Sequence, residues 1–318
     1  PFPPSQSMQL LERPMRRRSL LTLALSAGSA FGASLVSGQA RAVPAFRGDS
    51  PLMGPFRLEL IHRQRIDAPG LELDEPSGLT LNADGTALYT VSDDTRSIFC
   101  LDLNGRVLAG ESFPLNATDL EGIAISGDGR RLLAVHEETN AVISIDLASR
   151  RELRRSPLAE MAHYAAIARH FPAQPDNKGL EGITVNSRNQ HVFVVKEGRP
   201  GLLIELDPDC NTILESRLLT PANGFSHPQV KQRKLDFSGL SYDSQRDTLW
   251  IASDKGQCLF HYDWKRDQVL QRLDLLLNDG SKSRRVRKAE GVAVDPQRGR
   301  VYVVSDRDAE LYVFKLNG

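Results

Sequence analysis

The sequence predicts an all-β fold, a five-bladed β-propeller of four-stranded antiparallel blades, with the last blade closed by an N-terminal strand. Three observations lead there. Five segments align without gaps, each with a glycine (78, 122, 182, 239 and 291) and an acidic residue fifteen positions later (Asp93, Glu137, Glu197, Asp254 and Asp306). The glycines lie 44, 60, 57 and 52 residues apart, too close to hide a further complete unit of roughly 40 residues. Finally, the fifth unit stops after its third strand, Leu311–Phe314, whereas residues 57–64 precede the first unit and read as a strand with no blade of their own.

Each unit is built alike. Its first strand alternates bulky and small residues, as in Glu121-Gly122-Ile123-Ala124-Ile125. One face is therefore small, as crowding near a propeller axis requires, and glycine suits a close backbone approach. A polar turn follows, for example Asn82-Ala83-Asp84-Gly85. The second strand is β-branched and aromatic, as in Leu249-Trp250-Ile251-Ala252 and Val301-Tyr302-Val303-Val304. The third often ends in an aspartate (Asp102, Asp146, Asp207, Asp263), which reads as turn chemistry. Fourth strands are expected at 107–115, 212–219 and 269–275, and strand 57–64 should complete the last blade and leave no open edge there.

Hairpin pairing of the first two strands brings the residue opening one beside the residue closing the other. Glu121 is then expected near Glu137, Glu181 near Glu197, and Glu290 near Asp306, with Ser77 beside Asp93 and Ser238 beside Asp254. Rotation about the axis gathers these carboxylates on one channel rim, where repulsion and partial burial need an offset. One offset is a hard divalent cation. Calcium is favoured because it takes roughly 6–8 oxygen ligands in flexible geometry. The metal-ligand candidates are Glu121, Glu181, Glu290, Glu137 and Glu197. The other offset is internal pairing with Lys196, Lys255, Arg307 or His136, and Asp93, Asp254 and Asp306 could equally serve their own turns.

Residues 1–42 read as an export signal. Arg16-Arg17-Arg18 precede a weakly apolar run to about Gly38, and Ala40-Arg41-Ala42 follows as a small-residue cleavage signature. Arg17-Arg18-Ser19-Leu20-Leu21 resembles a twin-arginine signal, with the Sec route and an uncleaved inner-membrane anchor as alternatives. A linker, 43–55, then leads to a single propeller domain, 56–318. Five basic residues but only one acidic residue fall within 1–42. The remainder therefore carries 35 basic against 39 acidic residues, a poor match to nucleic acid. No later segment could cross a membrane, so the expected product is periplasmic and monomeric. Cys100, Cys210 and Cys258 show no metal-ligand spacing; Cys100 and Cys258 read as buried strand residues, with one bridge left open.

The motifs Glu75-Pro76-Ser77-Gly78-Leu79, Asp119-Leu120-Glu121-Gly122-Ile123, Asn177-Lys178-Gly179-Leu180-Glu181-Gly182, Asp236-Phe237-Ser238-Gly239-Leu240 and Lys288-Ala289-Glu290-Gly291-Val292 resemble those of the SdiA-regulated family. Val195-Lys196-Glu197 and Val304-Ser305-Asp306 are similar to its second motif, and the resemblance spans 56–316. It implies an envelope-located five-bladed propeller with calcium in or near the channel, and it supplies no reaction. The Glu-Gly opening is also similar to that of propeller lactonases and an esterase-like phytase group, a likeness at the level of fold.

Outside the repeats, Leu158–Phe171 reads as a short helix that could overhang the channel mouth, and the basic run 282–288 as a solvated loop with anionic lipid or cell-wall polymer as its rival contact. No nucleophile elbow, metalloprotease helix or phosphate-cradling loop is present. Two functions follow. One is a calcium-binding interaction module for a small-molecule, cell-wall or protein ligand. The other is a metal-dependent hydrolase of a lactone, ester or phosphoester, with His136 or a rim carboxylate as base. The first is preferred, while the question of catalytic activity is left open between the two.

Overall fold

The computed structural model describes residues 56–66, 73, 75–172, 178–277 and 284–318. The export signal, the linker, and Lys282 and Ser283 of the basic run lie outside the described residues. Among the described residues, twenty strands form five four-stranded sheets. The first blade comprises β2 (Pro76–Leu81), β3 (Ala87–Ser92), β4 (Ser97–Asp102) and β5 (Phe113–Pro114). The second comprises β6 (Leu120–Ile125), β7 (Arg131–His136), β8 (Ala141–Asp146) and β9 (Arg151–Pro157). The third runs from β10 (Leu180–Val185) through β11 (Val192–Lys196) and β12 (Leu202–Leu206) to β13 (Ile213–Leu218). The fourth holds β14 (Leu240–Asp243), β15 (Thr248–Ser253), β16 (Cys258–Asp263) and β17 (Gln268–Asp274). The fifth holds β18 (Ala289–Asp295), β19 (Arg300–Ser305) and β20 (Glu310–Asn317).

The fourth strand of the fifth blade is β1 (Arg57–Arg65), which runs antiparallel to β20 from Arg57↔Asn317 to Arg65↔Glu310. The chain thus closes on itself, as expected. The entry is clamped: Gln271 on β17 accepts from the Phe56 N–H (3.0 Å) and donates to its carbonyl (2.8 Å). The Phe56 ring packs edge-on to His261 and beneath the Arg246 guanidinium. Phe56→Ala should cost about 2 kcal/mol, less than a full core aromatic because Phe56 is only half-buried, read as a lower denaturant midpoint with unchanged slope.

Packing between blades rests on the repeat glycines. A Cβ on Gly78 would stand 2.7 Å from the Gly122 Cα; on Gly122, 2.4 Å from the Glu181 carbonyl; on Gly182, 2.9 Å from the Leu240 nitrogen; on Gly239, 2.5 Å from the Glu290 carbonyl; and on Gly291, 2.6 Å from the Ser77 carbonyl. Each glycine is therefore filled by the inner-strand backbone of the next blade, and the fifth contact returns to the first. Apolar side chains of neighbouring sheets pack between the blades, as where Leu133 and Val135 meet Val192 and Val194.

Three local expectations change. The fourth strand of the first blade shrinks to Phe113–Pro114 with an isolated Leu101↔Val107 bridge, because a turn returns the Glu111 N–H to the Leu108 carbonyl. The 158–171 insertion forms three 3-10 turns instead of one helix. Its backbone at Ala162 is committed to a parallel bridge with Thr212, and His163 takes a left-handed φ of 68°. It packs on the third blade through Leu158, Met161 and Ile167, and the Lys196 ammonium lies over the Phe171 ring; none of these residues lines the channel-mouth cavity. The basic run is not simply solvated: Arg285 pairs with Asp274 and Arg287 with Asp308. Two expectations hold: Cys100 and Cys258 are buried, and Asp102, Asp146, Asp207 and Asp263 accept N–H bonds within their own turns. Cys210 is buried as well, and none of the three is bridged.

Candidate metal centre

The rim carboxylates reach the channel through a shared irregularity. In the second blade Leu120 opposes His136 and Gly122 opposes Val135, so Glu121 has no partner and forms a β-bulge. Glu181 and Glu290 are bulged in the same way. The extra residue breaks the simple alternation. It lets the glycine face the next blade while the glutamate faces the channel.

There Glu121, Glu181 and Glu290 join Ser77 and Ser238, the matching residues of the other blades, around a cavity of about 270 Å³ whose thirteen lining residues are all polar. Asp93, Glu197, Asp236, Asp254 and Asp306 add to the carboxylates, and Lys178, Lys255 and Lys288 supply the positive charge.

The five predicted ligands divide. Glu121, Glu181 and Glu290 face the cavity together. Glu137 lies off the lining, but one oxygen each of Asp119, Glu121 and Glu137 falls within a 4.8 Å span. Because of the bulge, its backbone partner is Asp119, not Glu121. It also accepts the Gly179 N–H at 2.9 Å, and Gly179 must be glycine because a Cβ would meet the Glu137 Cγ at 2.6 Å. Glu197 is held in an ion pair by Lys178. Lys255 pairs with Asp254 and, at 3.8 Å, Asp236; Lys288 lies 3.2 Å from Glu290 and 2.9 Å from Asp306.

Of the four cationic partners expected, only Lys255 lines the cavity. Lys196 is buried and donates to the Gly198 carbonyl, and Arg307 is exposed away from the lining. His136 is 6% exposed, bonds Thr139 and sits 3.7 Å from Asp119, so it is no accessible base. Asp119, Asp236, Lys178 and Lys288 were not singled out from sequence, although all four fall three or four positions before a repeat glycine.

Among the described residues Glu121 and Glu181 have no hydrogen-bond or ion-pair partner. Each keeps a strip of surface open to the cavity, with protein on its other sides. Burial first, then Asp93 and Glu290, pushes the Glu121 carboxyl up to about 8. Burial and Glu121 raise Glu181 well above the usual carboxylate range. Burial takes Glu290 to about 7 against the pull of Lys288.

This is a donor set of oxygens with unmet negative charge, the chemistry that suits calcium. Of these, Asp119, Glu121 and Glu137 bring one oxygen each within 4.8 Å of one another, a spacing that fits such an ion, whereas Glu181 only shares the cavity and Glu290 is paired with Lys288.

The family model for SdiA-regulated proteins matches residues 58–315. The chain belongs to the SdiA-regulated family. Among solved structures, this family member resembles the glutaminyl cyclase of Myxococcus xanthus at 14% identity and a TM-score of 0.58, covering 83% of this chain and 99% of that one. It also matches the Cps50 (Swd1) β-propeller domain of Myceliophteria thermophila at 11% identity and a TM-score of 0.45, covering 82% and 100%. The first likeness shows the propeller fold.

Proposed function

We propose that this SdiA-regulated propeller is exported to the periplasm and binds calcium at the acidic channel mouth. The bound ion orders the mouth into a recognition surface for a small-molecule, cell-wall or protein ligand. The reading is carried by one observation: Glu121 and Glu181 stand in a common cavity with raised proton affinity and no cation partner among the described residues. Calcium would draw Glu121, Glu181 and Glu290 together with Asp119 and Glu137, leaving part of its coordination sphere for ligand oxygens.

Purified protein stripped with chelator and returned to millimolar calcium should gain about 3–4 kcal/mol of apparent stability if calcium exceeds its dissociation constant a few-hundred-fold. Thermal melting and elemental analysis read this together. No bound metal and no shift in melting would sink the proposal.

A second reading, a calcium-assisted hydrolase, is favoured by the same open coordination, with a cavity carboxylate such as Glu181 as base in place of the buried His136. Calcium-dependent turnover of generic lactone or ester substrates, lost in a folded Glu181→Gln variant, would establish it. A flat screen leaves the binding module.

A further inference from the structure

We infer that the second mouth of the channel, at the far end of the inner strands, binds a small uncharged polyhydroxyl molecule, a monosaccharide or a cyclic polyol. This site is separate from the acidic mouth and does not depend on calcium.

The inner strands β2, β6, β10, β14 and β18 all start at the acidic mouth and end at a second cavity, also of about 270 Å³. Its wall is made of the last residues of those strands and the turns that follow. Thr80, Ser126, Thr184, Ser187, Ser241 and Ser244 bring hydroxyls to it. Its charged lining residues are Asp84, Asp295 and Arg298, the last two paired with each other. The volume lies just below the range of about 300–1,000 Å³ that holds drug-sized ligands, so it suits a molecule of one ring.

Register decides which backbone groups face this cavity. Asn82, Ser126 and Asn186 donate across their hairpins to the carbonyls of Ala87, Arg131 and His191. The residue before each, Leu81, Ile125 or Val185, therefore belongs to a non-hydrogen-bonded pair. Its N–H and C=O point away from the neighbouring strand, toward the channel. The equivalent residues of the fourth and fifth blades are Tyr242 and Val294. Their N–H groups are taken by hydroxyls of the preceding blade: Thr184 Oγ1 accepts from Tyr242 at 3.0 Å and Ser241 Oγ from Val294 at 2.9 Å. For two of the others the preceding blade offers alanine, Ala124 before Val185 and Ala293 before Leu81. The third, Ile125, follows Thr80, whose Oγ1 donates instead to the adjoining Leu81 carbonyl at 3.4 Å. Among the described residues, then, the N–H groups of Leu81, Ile125 and Val185 have no protein partner, and all three residues line the one cavity from consecutive blades.

The mixture of dipoles selects the ligand. Each free strand end shows an N–H and a C=O side by side. Thr184 and Ser241 have each accepted an N–H, which leaves the hydroxyl hydrogen to point elsewhere. An anion would meet the carbonyls, and a cation the N–H groups. A sugar hydroxyl both donates and accepts, so a ring of them matches such alternating groups. A molecule that replaces channel water must reproduce its hydrogen bonds, and a polyhydroxyl ring does so where an apolar one does not.

The experiment is amide NMR on the isotope-labelled full propeller in chelator, titrated with glucose and separately with myo-inositol, with sodium acetate as the charged control. The amides of Leu81, Ile125 and Val185 should shift saturably with at least one polyhydroxyl probe, those of Glu121 and Glu181 should stay, and acetate should move none of them. Saturation by glucose alone identifies a sugar site, and by inositol alone a cyclic-polyol site. Ala124→Thr and Ala293→Thr place a hydroxyl as Thr184 does, so that Oγ1 takes the N–H of Val185 or Leu81 in place of the ligand. Each should weaken binding about tenfold, the worth of one good hydrogen bond, without lowering the melting temperature. Ala124→Ser and Ala293→Ser, copying the smaller Ser241, make the same test if threonine disturbs folding. Saturable shifts unchanged in both folded variants would overturn the inference by placing the ligand elsewhere. No saturable shift at these amides with either probe, or equal shifts with acetate, would overturn it too, and either result leaves the calcium reading untouched.

Discussion

Gly122→Ala should be the most damaging single-methyl substitution in the molecule. The added carbon would sit 2.4 Å from the Glu181 carbonyl and 3.1 Å from the Gly182 Cα. Both are backbone atoms of the neighbouring inner strand, which cannot rotate aside as a side chain could. That strand cannot retreat easily either, because Gly182 lies so close to the fourth blade that even an added Cβ there would meet the Leu240 nitrogen at 2.9 Å. The methyl must push a closed ring apart. Overpacking of a core typically costs about 1–3 kcal/mol, and this site lies at or above the upper end. A fall in melting temperature of about 6–12 °C follows for a domain of this size. Gly110→Ala is the control, since nothing lies within 4 Å of its added carbon. Equal melting of the two variants would refute the interlocking role of the repeat glycines.

Glu181→Gln should change stability in opposite directions with and without calcium. In metal-free protein the substitution removes a buried carboxylate that repels Glu121 and Glu290, so the variant melts higher than wild type near pH 8. With calcium it lacks a ligand, and the gain from added metal shrinks.

The pH dependence follows with a definite sign. Glu121 titrates near 8 and Glu290 near 7 in the folded protein, both above the 4.5 of a free carboxyl. The folded state therefore holds more protons than the unfolded state between these limits. Metal-free stability is fully present below about 4.5 and declines as pH rises through 7 and 8. Protons and calcium compete for the same oxygens, so the stabilisation by calcium should be largest at pH 8 and small near pH 5.5. Melting curves at the two pH values, with chelator and with calcium, check both statements. A metal-free melting temperature that rises with pH over that range would contradict the assignment.

Why the blades were legible while parts of the mouth were not has a physical reason. The glycine at each inner strand and the acid fifteen residues on recur because every blade makes the same two contacts, backbone against the next blade and carboxylate toward the axis. Such spacing survives in a sequence. The bulge at Glu121, Glu181 and Glu290 leaves no such trace, since it is present in all three and does not change the interval. Lys178 and Lys288 carry no repeated signal, because Lys178 lies four positions before its glycine and Lys288 shares its position with the aspartates Asp119 and Asp236, so no column is consistently basic. Apolar periodicity at 158–171 indicated a helix, but tertiary pairing of Ala162 with Thr212 overrode it.

The pairing of β1 with β20 also sets an order of events. Within the propeller the first strand is the partner of the last, so the fifth blade cannot form until β20 has emerged. Until then β1 has no hydrogen-bonded strand partner, and the face carrying Leu58 and Leu60 waits for Phe314 and Leu316. Each earlier blade can form as its own hairpins emerge, yet closure requires joining segments from opposite ends of the domain, a contact of high sequence separation and correspondingly slow to form. A stalled or truncated nascent chain would therefore expose an unfinished edge that quality-control proteases can recognise, whereas a completed chain conceals it in a single closing step.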